Sequence, residues 1–262
     1  GDLGTSWRTG KPVATELLSR VPASLELLLL GTILGCLVGI PAGLAAAFGR
    51  SGWFDQLARV LSLLGFSIPT YFLGLLLLLI FFAELDWAPP AMGRINLMLT
   101  PPPHVTGSYL LDGLLDGDWE VVQSAAAQLI LPVLSVAIIC AAPVVKQVRA
   151  IALDVLGSDH IRYAGAQGLP RRLVRAMVLR GVAAPTFIFV CGELTGLIGS
   201  VSLIEYVFSW NGVGQYGLDA IVRGDFNVVQ GYVLLLALFS VAVFLIGDLV
   251  VFALEPRSRV AA

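Results

Sequence analysis

The chain has 262 residues, of which 57% are hydrophobic and 13% charged, with a formal net charge of −2. Soluble domains carry about 25% charged residues, so this composition excludes an ordinary soluble protein and places the chain in the membrane class. Cys36, Cys140 and Cys191 each stand in an apolar run without Cys-x-x-Cys or Cys/His spacing. They read as small buried hydrophobes, not as disulfides or metal ligands.

Residues 1–21 are polar and carry Arg8, Lys11 and Arg20. Gly4 to Lys11 loosely resembles a phosphate loop. It has five residues between its glycines, Pro12 where Ser or Thr should bind the metal, and no strand before it, so no ATP site is visible. Five apolar segments follow, at about 22–48, 56–83, 124–146, 182–204 and 228–254. Each is long enough for a bilayer core of about 30 Å, which takes about 20 helical residues. They are continuously apolar, which argues against the alternation of a membrane β-barrel. The expected fold class is therefore all-α, a polytopic bundle with five transmembrane helices.

The connections sort by charge. Loop 84–123 holds Glu84, Asp86, Asp112, Asp116, Asp118 and Glu120 against Arg94. The segment from Lys146 to Gly181 carries seven Lys/Arg against Asp154 and Asp159. Loop 205–227 has Glu205, Asp219 and Asp225 against Arg223, and the tail has Arg257 and Arg259. An excess of Lys and Arg marks the cytoplasmic side. Residues 49–55, 147–181 and the C-terminus are thus expected in the cytoplasm, and loops 84–123 and 205–227 outside. This leaves the basic 1–21 segment extracytoplasmic, which leads to the expectation of a sixth, N-terminal transmembrane helix ahead of it.

Gly31, Gly35, Gly39 and Gly43 recur every four residues in the first span. They put small residues on one helix face, for packing within the protein or for a subunit contact. Prolines at 41, 69, 132, 143 and 185 predict kinks. Ser67-Ile-Pro69 is either a bend lining a pathway or an ordinary kink. Glu26 sits near a membrane boundary. Glu193 and Asp248 lie inside spans, where ionisable groups usually face an interior or a cavity. Asp248 is expected to pair with a nearby arginine, and Glu193 is a candidate for a wet pathway. His104 and His160 fall in loops, so neither serves a catalytic or metal site buried in the bilayer.

The most informative stretch is 158–170. Ser158 suits a helix start, Gly168 the left-handed residue that ends a helix, and Pro170 the first turn of the next. Between them Ala164, Gly165 and Ala166 give a face without bulk, which either seats in a partner's groove or belongs to an ordinary loop helix.

Together these residues resemble a family. Asp159-His-Ile-Arg-Tyr-Ala-Gly-Ala-Gln-Gly-Leu169 is similar to the EAA loop of ABC importer permeases of the dipeptide/oligopeptide/nickel type. Arg162, Tyr163 and Ala164 fall where that motif has Glu-Ala-Ala, and Gly168 falls on its glycine. Glu205-Tyr-Val-Phe-Ser-Trp-Asn-Gly-Val-Gly214 resembles the family's external Glu-x-x-Phe-x-Trp-Pro-Gly-x-Gly. Asp248 through Leu254-Glu-Pro-Arg257 resembles its closing segment, and Gly1-Asp-Leu-Gly-Thr-Ser6 the stretch after its first transmembrane helix. The chain departs at Asn211 (proline is usual), Gly165 and Gln167 (Arg and Lys are common), Tyr163 (usually Thr) and Glu255 (usually Asp).

The resemblance implies a type I ABC importer permease in the bacterial inner membrane, not itself an enzyme. It implies a second homologous permease as heterodimer partner, two cytoplasmic ATPases that bring the ATP and Mg²⁺, and an extracytoplasmic solute-binding protein. This chain carries no cofactor of its own, and nothing points to nucleic acid. Asp159, Arg162, Tyr163, Ala164, Gly165, Ala166, Gly168 and Leu169 become ATPase-coupling residues, and Ser67, Pro69 and Glu193 possible pathway residues. Short peptides are the expected cargo, with nickel, glutathione or another small solute as alternatives. A stand-alone secondary transporter or a membrane enzyme would need mid-bilayer ion sites or a buried nucleophile and base; neither is evident.

Overall fold

The computed structural model describes residues 2–49, 56 and 68–254. Described residues fall into eight helical elements: α1 (Val13–Phe48), α2 (Thr70–Leu78), α3 (Tyr109–Asp116), α4 (Trp119–Gly157), α5 (Asp159–Ala166), α6 (Arg171–Val207), α7 (Val213–Arg223) and α8 (Phe226–Leu254). α2 continues from Leu79 to Glu84 at the wider π pitch. The expected span at 56–83 is described only from residue 68 apart from Gln56, and Ser67 lies outside the described residues.

α1, α4, α6 and α8 are long and apolar enough to cross a membrane. At 1.5 Å per residue they measure roughly 44–58 Å, well beyond the hydrocarbon core of about 30 Å. The helices run past the apolar segments at several ends. α1 begins nine residues before the expected start, α4 runs to Gly157, and α6 starts at Arg171. Much of the segment expected as cytoplasmic loop is thus helix: residues 147–157 end α4 and 171–181 begin α6. Hydropathy marks where the lipid is, whereas a helix ends only where its backbone finds caps. Pro185 sits inside α6 without ending it.

The chain divides into two compact units. Unit 1 comprises residues 1–34, 68–137 and 196–239, and unit 2 residues 35–67, 138–195 and 240–262. In unit 1, Val13 and Leu17 of α1 pack with Val213 and Ala220 of α7 and Val228 and Tyr232 of α8. A smaller cluster joins Ile95 to Val121 and Ala125 of α4. Residues 2–12 fold back in a turn, with Ser6 N–H donating to Lys11 O at 3.0 Å and Val13 N–H to Gly4 O at 3.0 Å. The turn is docked: Ser6 Oγ donates to the buried Asp225 at 2.6 Å, Asn227 Nδ2 to Thr5 O at 2.8 Å, and Trp7 meets Phe226 edge-on.

In unit 2, Cys140, Val144, Val148 and Ala152 of α4 are buried, as are Val178, Val182 and Cys191 of α6. None of the three cysteines forms a disulfide among the described residues.

Three glycines of the α1 stripe lie against α4. Gly31, Gly35, Gly39 and Gly43 are all buried. A methyl group on Gly31 would strike Val136; one on Gly39 would lie 2.8 Å from Val144 Cγ1, and one on Gly43 2.8 Å from Val145 O. The three neighbours all belong to α4, so small residues here let two helix backbones approach.

Candidate functional site

Two connectors carry the sequence signals: Ser158–Pro170 in unit 2 and Glu205–Gly214 in unit 1.

In unit 2, Ser158 alone separates α4 from α5. It stands where a cap was expected, but its hydroxyl turns back to donate to Val155 O at 2.5 Å and caps no N–H of α5. The last carbonyls of α4 are as much in need of partners as the first amides of α5. Gly168 has φ +74°. Leu169 N–H donates to Ala164 O at 3.2 Å and Gly168 N–H to Gly165 O at 3.1 Å. This is the paired closure of a Schellman motif.

α5 is held by Ile161 and Ala164, both buried. Ala164 therefore faces inward, which corrects its expected place on the smooth outer face. That face consists of Arg162, Tyr163, Gly165 and Ala166, flanked by Asp159, Gly168 and Leu169, all exposed. A side chain at Gly165 would meet nothing within 4 Å. Two residues that depart from the family pattern pair with each other: Gln167 Nε2 donates to Tyr163 Oη at 3.0 Å. At the base of the segment, a Cβ on Gly181 would lie 3.0 Å from Val155 Cγ1, so α4 and α6 run close there.

In unit 1, Glu205 lies in the last turn of α6 and is fully buried. Its Oε2 accepts from Gln215 N–H, in the first turn of α7, at 2.9 Å. Carboxylates are favoured at such helix starts, where amides lack intrahelical partners. Trp210 is buried and its Nε1 donates to Ala23 O at 3.0 Å; Val213 N–H donates to Ser24 Oγ at 2.8 Å. Gly212 leaves no room: a Cβ there would lie 2.5 Å from the Glu205 carboxylate. Asn211, where proline is usual, has φ +58°. Proline is confined to φ near −65°, so this turn has a different shape from one built on proline. Asn211 N–H donates to Gln215 Oε1 at 2.6 Å, and its Oδ1 accepts from Arg20 Nη1 at 3.2 Å.

Three acids and one base of this unit also turn out to be structural. Arg94 pairs with Glu26 at 3.1 Å and donates to Gly107 O at 2.9 Å. Its guanidinium lies 4.1 Å from the Tyr109 ring centre. Ser108 Oγ donates to the other Glu26 oxygen at 2.6 Å. Asp112 is buried, yet its carboxyl is held below the ordinary range. Burial alone would raise it, but bonds from Thr106 Oγ1 and N–H and from Gly107 N–H outweigh burial. Asp118 accepts from Glu120 and Val121 N–H and starts α4. Tyr216 is pushed up by burial and by its hydrogen bond to Glu16. The Glu26–Arg94 pair had a signal in the sequence: an acid at a membrane boundary and the single base of an acidic loop.

Pro69 directly precedes α2, and Leu73 N–H donates to its carbonyl at 3.1 Å. Glu193 is half-buried in unit 2 and makes no hydrogen bond or ion pair among the described residues. Asp248 is exposed, and the expected arginine partner is not found among the described residues. The residues of 50–55, 57–67 and 255–262 lie outside them.

The chain as a whole is similar to known proteins. Residues 39–260 match the family described as binding-protein-dependent transport system inner membrane component. The chain is 39% identical over 258 residues to the probable D,D-dipeptide transport system permease protein DdpB of Escherichia coli, covering 98% of this chain and 76% of that protein. It is 34% identical over 260 residues to the dipeptide transport system permease protein DppB of Alkalihalophilus pseudofirmus, covering 99% and 78%. It is 32% identical over 252 residues to the putrescine export system permease protein SapB of Escherichia coli, covering 95% and 78%.

Proposed function

The chain belongs to the family of binding-protein-dependent transport system inner membrane components, and from that premise we propose that it forms half of an ATP-driven import pore for short peptides. The names of DdpB and DppB support the peptide cargo. A second, homologous permease completes the pore, two ATPase subunits bring ATP and Mg²⁺, and a solute-binding protein delivers cargo. The segment 146–181 and the C-terminus face the cytoplasm, and loops 84–123 and 205–227 face outward, by the excess of Lys and Arg on one side.

The observation that carries the coupling role is the state of α5. It is an exposed two-turn helix, closed at its end, anchored by Ile161 and Ala164, and open at Gly165. One residue joins it to α4 and four to α6. Links so short transmit a displacement of α5 to both long helices instead of absorbing it. The ATPase groove receives Arg162, Tyr163, Gly165 and Ala166, with Asp159, Gly168 and Leu169 at the rim. Closure of the ATPase pair on ATP moves α5 as a lever. The chain performs no chemistry of its own.

The test is Gly165→Trp. The bulk enters open space, so folding and thermal stability should be kept, while association with the ATPase and ATP-dependent uptake fall at least about ten-fold, a loss of roughly 1.4 kcal/mol. An ATPase that still binds this variant as it binds wild type would move the seat elsewhere. Withdrawing the ATPase subunits should abolish uptake; uptake that persists without them would favour a secondary transporter.

A further inference from the structure

Unit 1 contains a cleft of about 630 Å³ between the loop before α3 and the first three turns of α4. One wall is a face of α4 at helical spacing: Glu120, Gln123 and Ser124, Ala127 and Gln128. The other is Pro89, Pro90, Met92, Leu97 and Met98. The loop is fixed in place, with Ile95 buried against Val121 and Ala125 and Asn96 N–H donating to Ser124 Oγ at 2.7 Å. Beyond that anchor Leu97 and Met98 are 73% and 94% exposed.

Gln128 is the residue that packing does not account for. It is only 8% exposed, lies inside an apolar span, and lines this cleft. Its carboxamide makes no hydrogen bond among the described residues. Its stem is packed while its carboxamide opens onto the cleft, so its donors and acceptor are offered to whatever occupies the cleft. The neighbouring Gln123 is exposed and equally unpartnered.

We infer that this cleft is a binding site for the main chain of a short peptide bearing a free amino terminus. A carboxamide offers one acceptor and two donors, which match the N–H and C=O of a peptide group. Gln128 and Gln123 supply two such groups about one and a half helical turns apart. Glu120 is the one ionised side chain lining the cleft, an anion suited to an α-ammonium. The thioether and aliphatic wall is soft and adaptable, so it accepts differing side chains without selecting one. The volume lies within the usual range of about 300–1,000 Å³ for small-ligand sites. The inference rests on the peptide-import reading and adds to it where on this subunit the cargo is held and by which of its atoms.

The test uses the assembled transporter, with its ATPases and binding protein, in proteoliposomes. Uptake of dialanine is compared with that of its analogue methylated on the peptide nitrogen. Wild type should prefer dialanine, and Gln128→Leu should shrink that preference about ten-fold, the equivalent of one hydrogen bond. In parallel, Gln123→Cys is labelled with a water-soluble maleimide, and dialanine should slow the labelling during turnover.

An unchanged preference together with unprotected labelling would overturn the site while leaving the import function intact. A Cys side chain reached in the isolated chain but not in the assembled transporter would overturn it too, by showing that a neighbouring subunit fills the cleft. If the wild-type transporter takes up no dialanine, the import reading itself fails. The labelling arm stands even if Gln128→Leu does not fold.

Discussion

The connectors Glu205–Gly214 and Ser158–Pro170 are both short, both glycine-containing, and flank the two ends of the long helix α6, yet they are built on opposite terms. In the first, Gly212 is jammed against the Glu205 carboxylate, Gly214 against Ser202, and a Cβ on Gly217 of the following helix would lie 2.6 Å from the Tyr232 ring. In the second, Gly165 and Gly168 have nothing within 4 Å. The first set of glycines is required by what lies inside the chain. In the second set, Gly168 is set by its positive φ, whereas Gly165 answers to no part of the described chain and its smallness suits an approach from outside. Small residues of the same type thus report on folding in one region and on a partner in the other.

The strongest way to break this contrast is Glu205→Ala. It leaves Gln215 N–H without its acceptor and a void in a fully buried place. The expected loss is about 3 kcal/mol, read as a lower melting temperature of the assembled transporter and less protein retained in the membrane. A variant as stable as wild type would show that the corner is not wired from within.

Next comes a pair of substitutions within α5. Ile161→Ala removes one of its two buried anchors and is expected to cost about 2–4 kcal/mol of local stability, so that both stability and ATPase coupling fall. Tyr163→Ala removes a side chain that is 67% exposed. It should weaken ATPase association several-fold with no change in melting temperature. If Tyr163→Ala lowers stability as Ile161→Ala does, the two faces of α5 have been assigned wrongly.

The Asn211 turn sharpens the other side. Asn211→Pro forces φ from +58° towards −65° and deletes the N–H that binds Gln215. A loss of about 2 kcal/mol is expected, in line with strained backbone positions. Asn211→Gly accepts the same φ and should lie within about 0.5 kcal/mol of wild type. Thermal melts of both variants decide it, and a stabilised Asn211→Pro would mean that the corner readily adopts the turn of its relatives.

What was legible in the sequence follows the same division. Long apolar runs and the excess of Lys and Arg in 146–181 announced an all-helical membrane chain, because lipid imposes composition directly. The glycine that ends α5 was legible because a positive φ selects its residue type. The inward turn of Ala164 was not, since two buried contacts decide which face of a short helix is up, and spacing within eight residues leaves that open. The extra helical turns at 13–21, 147–157 and 171–181 were hidden because helices outlast the membrane. Gln128 was invisible: a single amide in an apolar run becomes informative only when its lack of a partner is seen. Asp112 and Asp118 counted in the sequence only as acids of loop 84–123, and both proved to be bound to backbone amides.

Asp112 supplies the smallest of the expected effects and the one with a sign to check. Its folded-state pKa is depressed, because the ionised carboxyl accepts three hydrogen bonds from Thr106 and Gly107 that the protonated form would partly forfeit. It therefore contributes stability that is fully present above the ordinary aspartate value of about 3.9 and is lost as pH falls through the lower folded-state value. The affected region is the 104–118 loop, so the fitting measurement is limited proteolysis of that loop in the intact transporter as pH is lowered from neutral to below the ordinary aspartate value of about 3.9. Wild type should become more readily cleaved towards the acid end. Asp112→Asn should start about 1 kcal/mol less protected and show no step in that window. A step that survives in Asp112→Asn would assign the acid response to another carboxylate, for which Glu26, bonded to both Arg94 and Ser108, is the next to examine.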